Sequence, residues 1–194
     1  QATDMAGLGK LAPSLVMIRT GAFTQPYLRG IGKRSTLGVE NGVATYVDGV
    51  YLASSISALL DLRGVERVEV LNGPQGTLFG RNSTGGVIQV ITRDPAFNGR
   101  AGEASLSFGT YGFLRGDTYL NAGNEDIAGN MGASLATNRG YGTNVFTGKK
   151  DQGEIDHSLV LRSKWIWRPR GTAQLTLAAD YQDIDQDFSQ RPVD

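Results

Sequence analysis

The sequence predicts an α+β domain followed by antiparallel strands with one wet and one greasy face, the strand type of a transmembrane β-barrel. Three observations predict it. Before about residue 95, short strands and brief helical stretches are separated by glycines. After it, apolar and polar positions alternate through segments of roughly ten residues, the length of a barrel strand. Trp165 and Trp167 close one of those segments, where an interfacial aromatic girdle would lie.

In the first part, Met5–Leu11 reads as a short helix stopped by Gly9 and Pro13. Leu15–Arg19 and Tyr27–Arg29 read as short strands, 30–42 as a polar loop, Val43–Val50 as a strand and Ile56–Leu62 as a short helix. Val65–Leu71 alternates strictly. Val65, Arg67, Glu69 and Leu71 share one face, and Glu66, Val68 and Val70 the other. Asn72–Gly86 carries five glycines and reads as a structured loop. Val87–Thr92 is a further strand, stopped at Arg93-Asp94-Pro95.

The second part reads as five strands: Ala101–Gly109, Phe113–Ala122, Ile127–Arg139, His157–Arg168 and Ala173–Ile184. The fourth is the clearest. Leu159, Leu161, Trp165 and Trp167 face one way, and Arg162, Lys164 and Arg168 the other. Period-two alternation means two unlike faces. A β-sandwich shares it, so a soluble or secreted β-rich binding module stands as the alternative. The balance tilts to the membrane because the apolar face carries no charge and short connections (Gly123–Asp126, Pro169–Gly171) alternate with a long one (Gly140–Asp156).

Composition removes other classes. Lys+Arg and Asp+Glu are 19 each, so the formal net charge is zero, and a nucleic-acid partner, which needs a basic face, is not expected. With no cysteine and one histidine, His157, neither a disulfide framework, a Cys-ligated metal nor a multi-His zinc site is expected. Glycine, at 27 residues, is roughly twice its ordinary usage, as many tight turns require. No run of about 18 apolar residues marks a membrane helix. No acid, base and nucleophile converge, so no catalytic residue and no cofactor is expected. GPQGTLFGRNST lacks the Gly-Lys-Ser/Thr ending of a phosphate loop. Asp180, Asp183, Asp185 and Asp187 read as a polar loop, because the turn glycine and terminal Glu of a calcium loop are missing.

Residues 65–95, VERVEVLNGPQGTLFGRNSTGGVIQVITRDP, closely resemble the C-terminal half of the plug domain of TonB-dependent outer-membrane receptors. PYLRGIG (26–32) and ATYVDGVYLA (44–53) resemble two further plug segments, in the family's order. The resemblance runs on through the alternating strands to Asp194. It implies a plug over 1–97, truncated at its N-terminus, and over 98–194 about the first five strands of a barrel of about 22, truncated at its C-terminus.

It also implies a role: TonB-dependent active transport of a scarce nutrient, such as a ferric siderophore or similar iron complex, across the outer membrane of a Gram-negative bacterium. Partners would be that small molecule, the lipid, and TonB with its inner-membrane energising complex, reached through an N-terminal box outside this sequence. Three plug loops would face the ligand: Thr20 to Phe23, Lys33, Arg34 and Ser35, and Tyr51 to Ser54. Lys33 and Arg34 suit an anionic ligand. Arg29, Glu66, Arg67, Glu69 and Arg81 would meet the barrel wall. One departure stands out: Asn72 occupies the position before Gly-Pro where the family commonly carries Arg or Lys, while Arg29 matches the family's second latch position, so the latch would either be weaker or rest on Arg67 and Arg81.

Overall fold

The structure is a computed structural model. It describes residues 12–20, 23–32, 41–52, 64–80, 82–140, 142–143, 148, 155–169 and 173–186. The helices expected at Met5–Leu11 and Ile56–Leu62 lie outside the described residues. The chain divides into two compact units, Gln1–Arg93 and Asp94–Asp194.

In the first unit, β1 (Leu15–Thr20) and β2 (Phe23–Leu28) form an antiparallel hairpin. β3 (Val43–Val47), β4 (Val50–Tyr51), β5 (Val65–Asn72) and β6 (Gly86–Thr92) form a mixed sheet ordered β4-β3-β6-β5. β3 runs parallel to β6, and the other neighbours are antiparallel. Leu15 and Leu28 of the hairpin pack with Val43, Ile88 and Val90 of the sheet into one core, flanked by Met17, Val65, Val68 and Val70.

Three expectations are corrected here. β2 spans Phe23–Leu28 instead of Tyr27–Arg29 and contains Pro26, which a strand tolerates when an edge leaves its missing N–H unneeded. The strand expected over Val43–Val50 stops at Val47 and doubles back through Asp48-Gly49. A register break between Val65 and Arg67 inserts one extra residue into β5. That bulge turns Val65 onto the face of Val68 and Val70, against the core, which strict alternation forbids. The glycine-rich loop also contains a single helical turn, α1 (Gly76–Phe79).

The loop's last glycine is indispensable. Gly86 opens β6 at φ 141°, and a β-carbon there would strike the Leu71 carbonyl and a Leu28 methyl.

The second unit is a five-stranded antiparallel meander: β7 (Arg100–Phe108), β8 (Leu114–Gly123), β9 (Ile127–Asn138), β10 (Ile155–Trp167) and β11 (Leu175–Gln186). Each strand lies within two residues of its expected start. Asn124 closes the β8–β9 turn by accepting the N–H groups of Asp126 and Ile127.

The two faces of this sheet invert the pattern of a soluble protein. Phe108, Leu177 and Trp165 are 76%, 60% and 51% exposed, in company with Leu106, Leu120, Met131, Leu135 and Trp167. Asp117 and Lys164 on the opposite face are 6% and 5% exposed. A sandwich would bury the first set, so the soluble alternative is set aside. Ile127 and Leu135 stand eight positions apart on β9, about 27 Å at about 3.4 Å per residue. Tilted by about 40°, they cover about 21 Å of height, close to the apolar band of about 25 Å of an outer-membrane barrel.

Candidate functional site

Two of the three plug-like segments fold as the same device. In PYLRGIG, Arg29 and Gly30 have φ of 50° and 80°, and Leu28 and Ile31 exchange backbone hydrogen bonds of 2.9 and 2.8 Å. In VDGV, Asp48 and Gly49 have φ of 47° and 82°, and Val47 pairs with Val50. Positive φ at both central positions defines a type I′ turn, which matches the twist of its strands.

Asp48 also fastens the sheet. Its carboxylate accepts the Thr92 N–H at 2.9 Å and the Thr92 hydroxyl at 2.5 Å, and its own N–H donates to the Val90 carbonyl at 3.0 Å. The β3–β4 turn is thereby tied to the end of β6, where the chain leaves for the second unit. Asp48 sits inside a segment that stands out in the sequence, but this task is not legible there, because its partner lies 44 positions away.

Tyr51, expected at the ligand side, is half-buried on β4. Its ring lies 5.5 Å from that of Tyr46, which meets Phe79 of α1 edge-on at 5.3 Å. Tyr46 donates its hydroxyl hydrogen to the Phe79 carbonyl at 2.6 Å, and Asn82 donates to the Tyr51 hydroxyl at 2.8 Å. These contacts join the β3–β4 hairpin to the glycine-rich loop. Thr20 and Phe23 pair across the β1–β2 hairpin. Lys33, Arg34, Ser35, Ser54 and Arg81 lie outside the described residues.

Of the expected latch residues, three come together. Arg67 Nε donates to Glu69 Oε1 at 2.8 Å and its Nη1 to Glu66 Oε1 at 3.1 Å. The hydrogen bond to Glu69, then the charges of Glu69 and Glu66, hold the guanidinium pKa above its usual value. The cluster is about half exposed, and its one guanidinium against two carboxylates leaves a single negative charge at the surface of β5. Arg29 stands apart from it, exposed on its turn.

The polar face of the second unit carries several hydrogen-bonded groups. Asp117 accepts from Ser134 at 2.8 Å, Arg115 at 2.9 Å and Ser105 at 3.3 Å. Lys164 donates through Nζ to Asp94 at 3.0 Å, and its N–H donates to the Asn130 side chain at 3.2 Å. Buried charges persist only when paired in this way. Asn121 grips Ala96 at both ends, accepting its N–H at 2.8 Å and donating to its carbonyl at 3.2 Å. Arg168 caps the Phe97 ring at 4.6 Å. So Asp94, Ala96 and Phe97 are fastened to the strands that follow them.

Among the described residues, Asp156, His157 and Asp185 bring one ligand atom each within 4.8 Å of one another. His157 reaches Asp156 at 3.5 Å and Asp183 at 3.4 Å, so its imidazole pairs with carboxylates on both sides.

Comparison with known proteins gives this fold its class. The profile of the TonB-dependent Receptor Plug Domain matches residues 1–87. The pesticin receptor of Yersinia pestis is 38% identical over 92 residues, covering 45% of this chain and 13% of the receptor. The catecholate siderophore receptor Fiu of Escherichia coli is 36% identical over 84 residues, covering 43% of this chain and 11% of Fiu. The crystal structure of the ferric yersiniabactin uptake receptor FyuA from Yersinia pestis superposes with a TM-score of 0.80 at 25% identity, covering 93% of this chain and 29% of that one.

A plug domain followed by apolar-out, polar-in strands is the architecture of a plugged outer-membrane receptor. Residues 1–87 belong to the plug-domain family of the TonB-dependent receptors, and the strands that follow are similar to the start of such a receptor's barrel, a likeness that places the chain in the outer membrane of a Gram-negative bacterium. The family is one of receptors and transporters. The chain spans about an eighth of the length of the curated relatives it matches.

Proposed function

We propose that the whole receptor carries a scarce nutrient, a ferric siderophore or similar iron complex, inward across the outer membrane. Ligand binds on the outward side of the plug, and TonB, energised from the inner membrane, rearranges the plug so that the ligand passes. The observation that supports this best is a plug fold joined to strands whose apolar side chains are exposed and whose buried polar ones are hydrogen-bonded. The names of two relatives, a receptor for catecholate siderophores and an uptake receptor for ferric yersiniabactin, favour an iron complex. No bond is made or broken in such a cycle, so no residue is assigned a catalytic role.

In this reading Thr20, Phe23, Lys33, Arg34, Ser35, Tyr51 and Ser54 face the ligand side. Arg29, Glu66, Arg67, Glu69 and Arg81 meet the barrel wall. The plug extends to residue 97 and the barrel begins at 98, with Asp94 to Phe97 as a connector held by the strands. The short turns at 123–126 and 169–171 are periplasmic, and 109–112 and 140–156 extracellular. In intact cells, Thr147→Cys is then labelled by an impermeant maleimide and Gly171→Cys is not; the reverse overturns the topology.

Function is tested with a deletion strain grown on a panel of iron complexes. Loss of growth and of radioactive iron uptake on at least one complex, restored by the full-length gene only when TonB is present, supports the reading. Unchanged uptake on every complex refutes iron transport.

A further inference from the structure

The outward face of the meander is not an even sheet of large apolar side chains. The register sets Arg100 on β7 against Ala122 on β8, Gly129 on β9 and Trp165 on β10. The next outward row sets Gly102 against Leu120 and Met131. Gly102 and Ala122 lower the floor, while Leu120, Met131 and Trp165, whose ring lies over Gly129, rise around it. The result is an open trough of about 470 Å³ with Arg100 at its end.

Arg100 is an anomaly there. By alternation it is the single charged position on the outward face of β7, β8 and β9. It is exposed, and it forms no ion pair among the described residues. A guanidinium on a lipid-facing surface needs an anion at headgroup depth. Its strand end is also the end of Trp165, Trp167 and the tight Asn124–Asp126 turn, which marks the interface.

We infer that this trough holds one anionic phospholipid, its phosphate on Arg100 and one acyl chain along Gly102 and Ala122, against the edge of Trp165. The charge calls for a phosphate, and the apolar dent, lying in the bilayer, for a hydrocarbon chain. A free phosphate ion satisfies only the first. The inference rests on the membrane topology proposed above, which puts this end in the phospholipid-bearing inner leaflet.

The test uses the full-length receptor, delipidated in detergent, titrated with dioleoylphosphatidylglycerol and read by native mass spectrometry. One lipid is retained by the wild type. Arg100→Gln weakens retention about five-fold, the effect of one cation near headgroups. Gly102→Leu, which fills the floor, weakens it as well. Millimolar inorganic phosphate does not displace the lipid. Equal retention by wild type and Arg100→Gln, or displacement by phosphate, overturns the inference. Heat-modified gel mobility reports whether each variant is folded, and Ala122→Leu replaces Gly102→Leu if the latter is not. A receptor that is soluble without detergent overturns the membrane reading itself, whereas an inserted receptor with unselective lipid retention overturns this inference alone.

Discussion

Trp165 lies across Gly129: its six-membered ring occupies the space that a β-carbon on Gly129 would take. The two are register partners on β10 and β9, and the indole N–H donates to Ser163 at 2.8 Å. The glycine gives the ring a seat, and the ring covers backbone that glycine leaves bare.

Filling that seat should therefore unsettle the wall. Gly129→Val displaces the indole and costs about 1–3 kcal/mol through overpacking. Thermal unfolding of the full-length receptor in detergent should fall, with a shift in tryptophan emission. Gly132→Val, where a β-carbon meets only a carbonyl at 3.7 Å, should cost less.

A charge distinguishes the two faces. Met131 is half exposed on the outward face of β9, and Val160 is on the inward face of β10 opposite Ser134. Met131→Arg should cost about 2–4 kcal/mol of insertion stability, as cations do near the midplane. Val160→Arg, close to the Asp117 network, should insert nearly as well as the wild type. Urea titration of refolding into vesicles measures both.

The Asp48–Thr92 tie should hold the turn on the end of β6. Asp48→Ala leaves the Thr92 N–H without its acceptor, a loss of about 1–3 kcal/mol. Hydrogen exchange in the full-length receptor should quicken at Thr92 and Val50 while β8 and β9 stay protected. The Asn121 clamp invites the parallel experiment. Asn121→Ala frees both polar groups of Ala96 and should open the connector to protease without changing exchange in β5.

Arg67 should behave differently again. Its ion pairs are surface pairs, which contribute little to stability. Arg67→Gln should leave unfolding unchanged, and because the guanidinium pKa is raised, no pH dependence should arise from it below strongly alkaline pH. An effect on iron uptake without one on unfolding would mark a latch role.

How far the sequence could be read depends on the range of the forces involved. Alternation is local, so β7 to β11 were legible within two residues, as was the facing of Trp165 against Lys164. The bulge in β5 was not, because alternation assumes an unbroken register and Val65 shows the break only once paired with Thr92. Pro26 masked the length of β2 because a proline reads as an interruption until an edge is known. α1 has four residues, too few for a helical period. In the candidate site, the grouping of Glu66, Arg67 and Glu69 follows from their proximity in sequence. The ties of Asp48 to Thr92, Asn121 to Ala96 and Lys164 to Asp94 join residues 25 to 70 positions apart, and no local pattern announces them.

The central claim is that the alternating strands cross a membrane with their exposed apolar side chains in lipid. Spin labels at Met131→Cys and Val160→Cys in the full-length receptor, reconstituted in vesicles, test it most directly. Oxygen, which concentrates in hydrocarbon, should relax the label at 131, and a water-soluble nickel chelate the label at 160. Nickel access at 131 together with oxygen access at 160 would contradict the account.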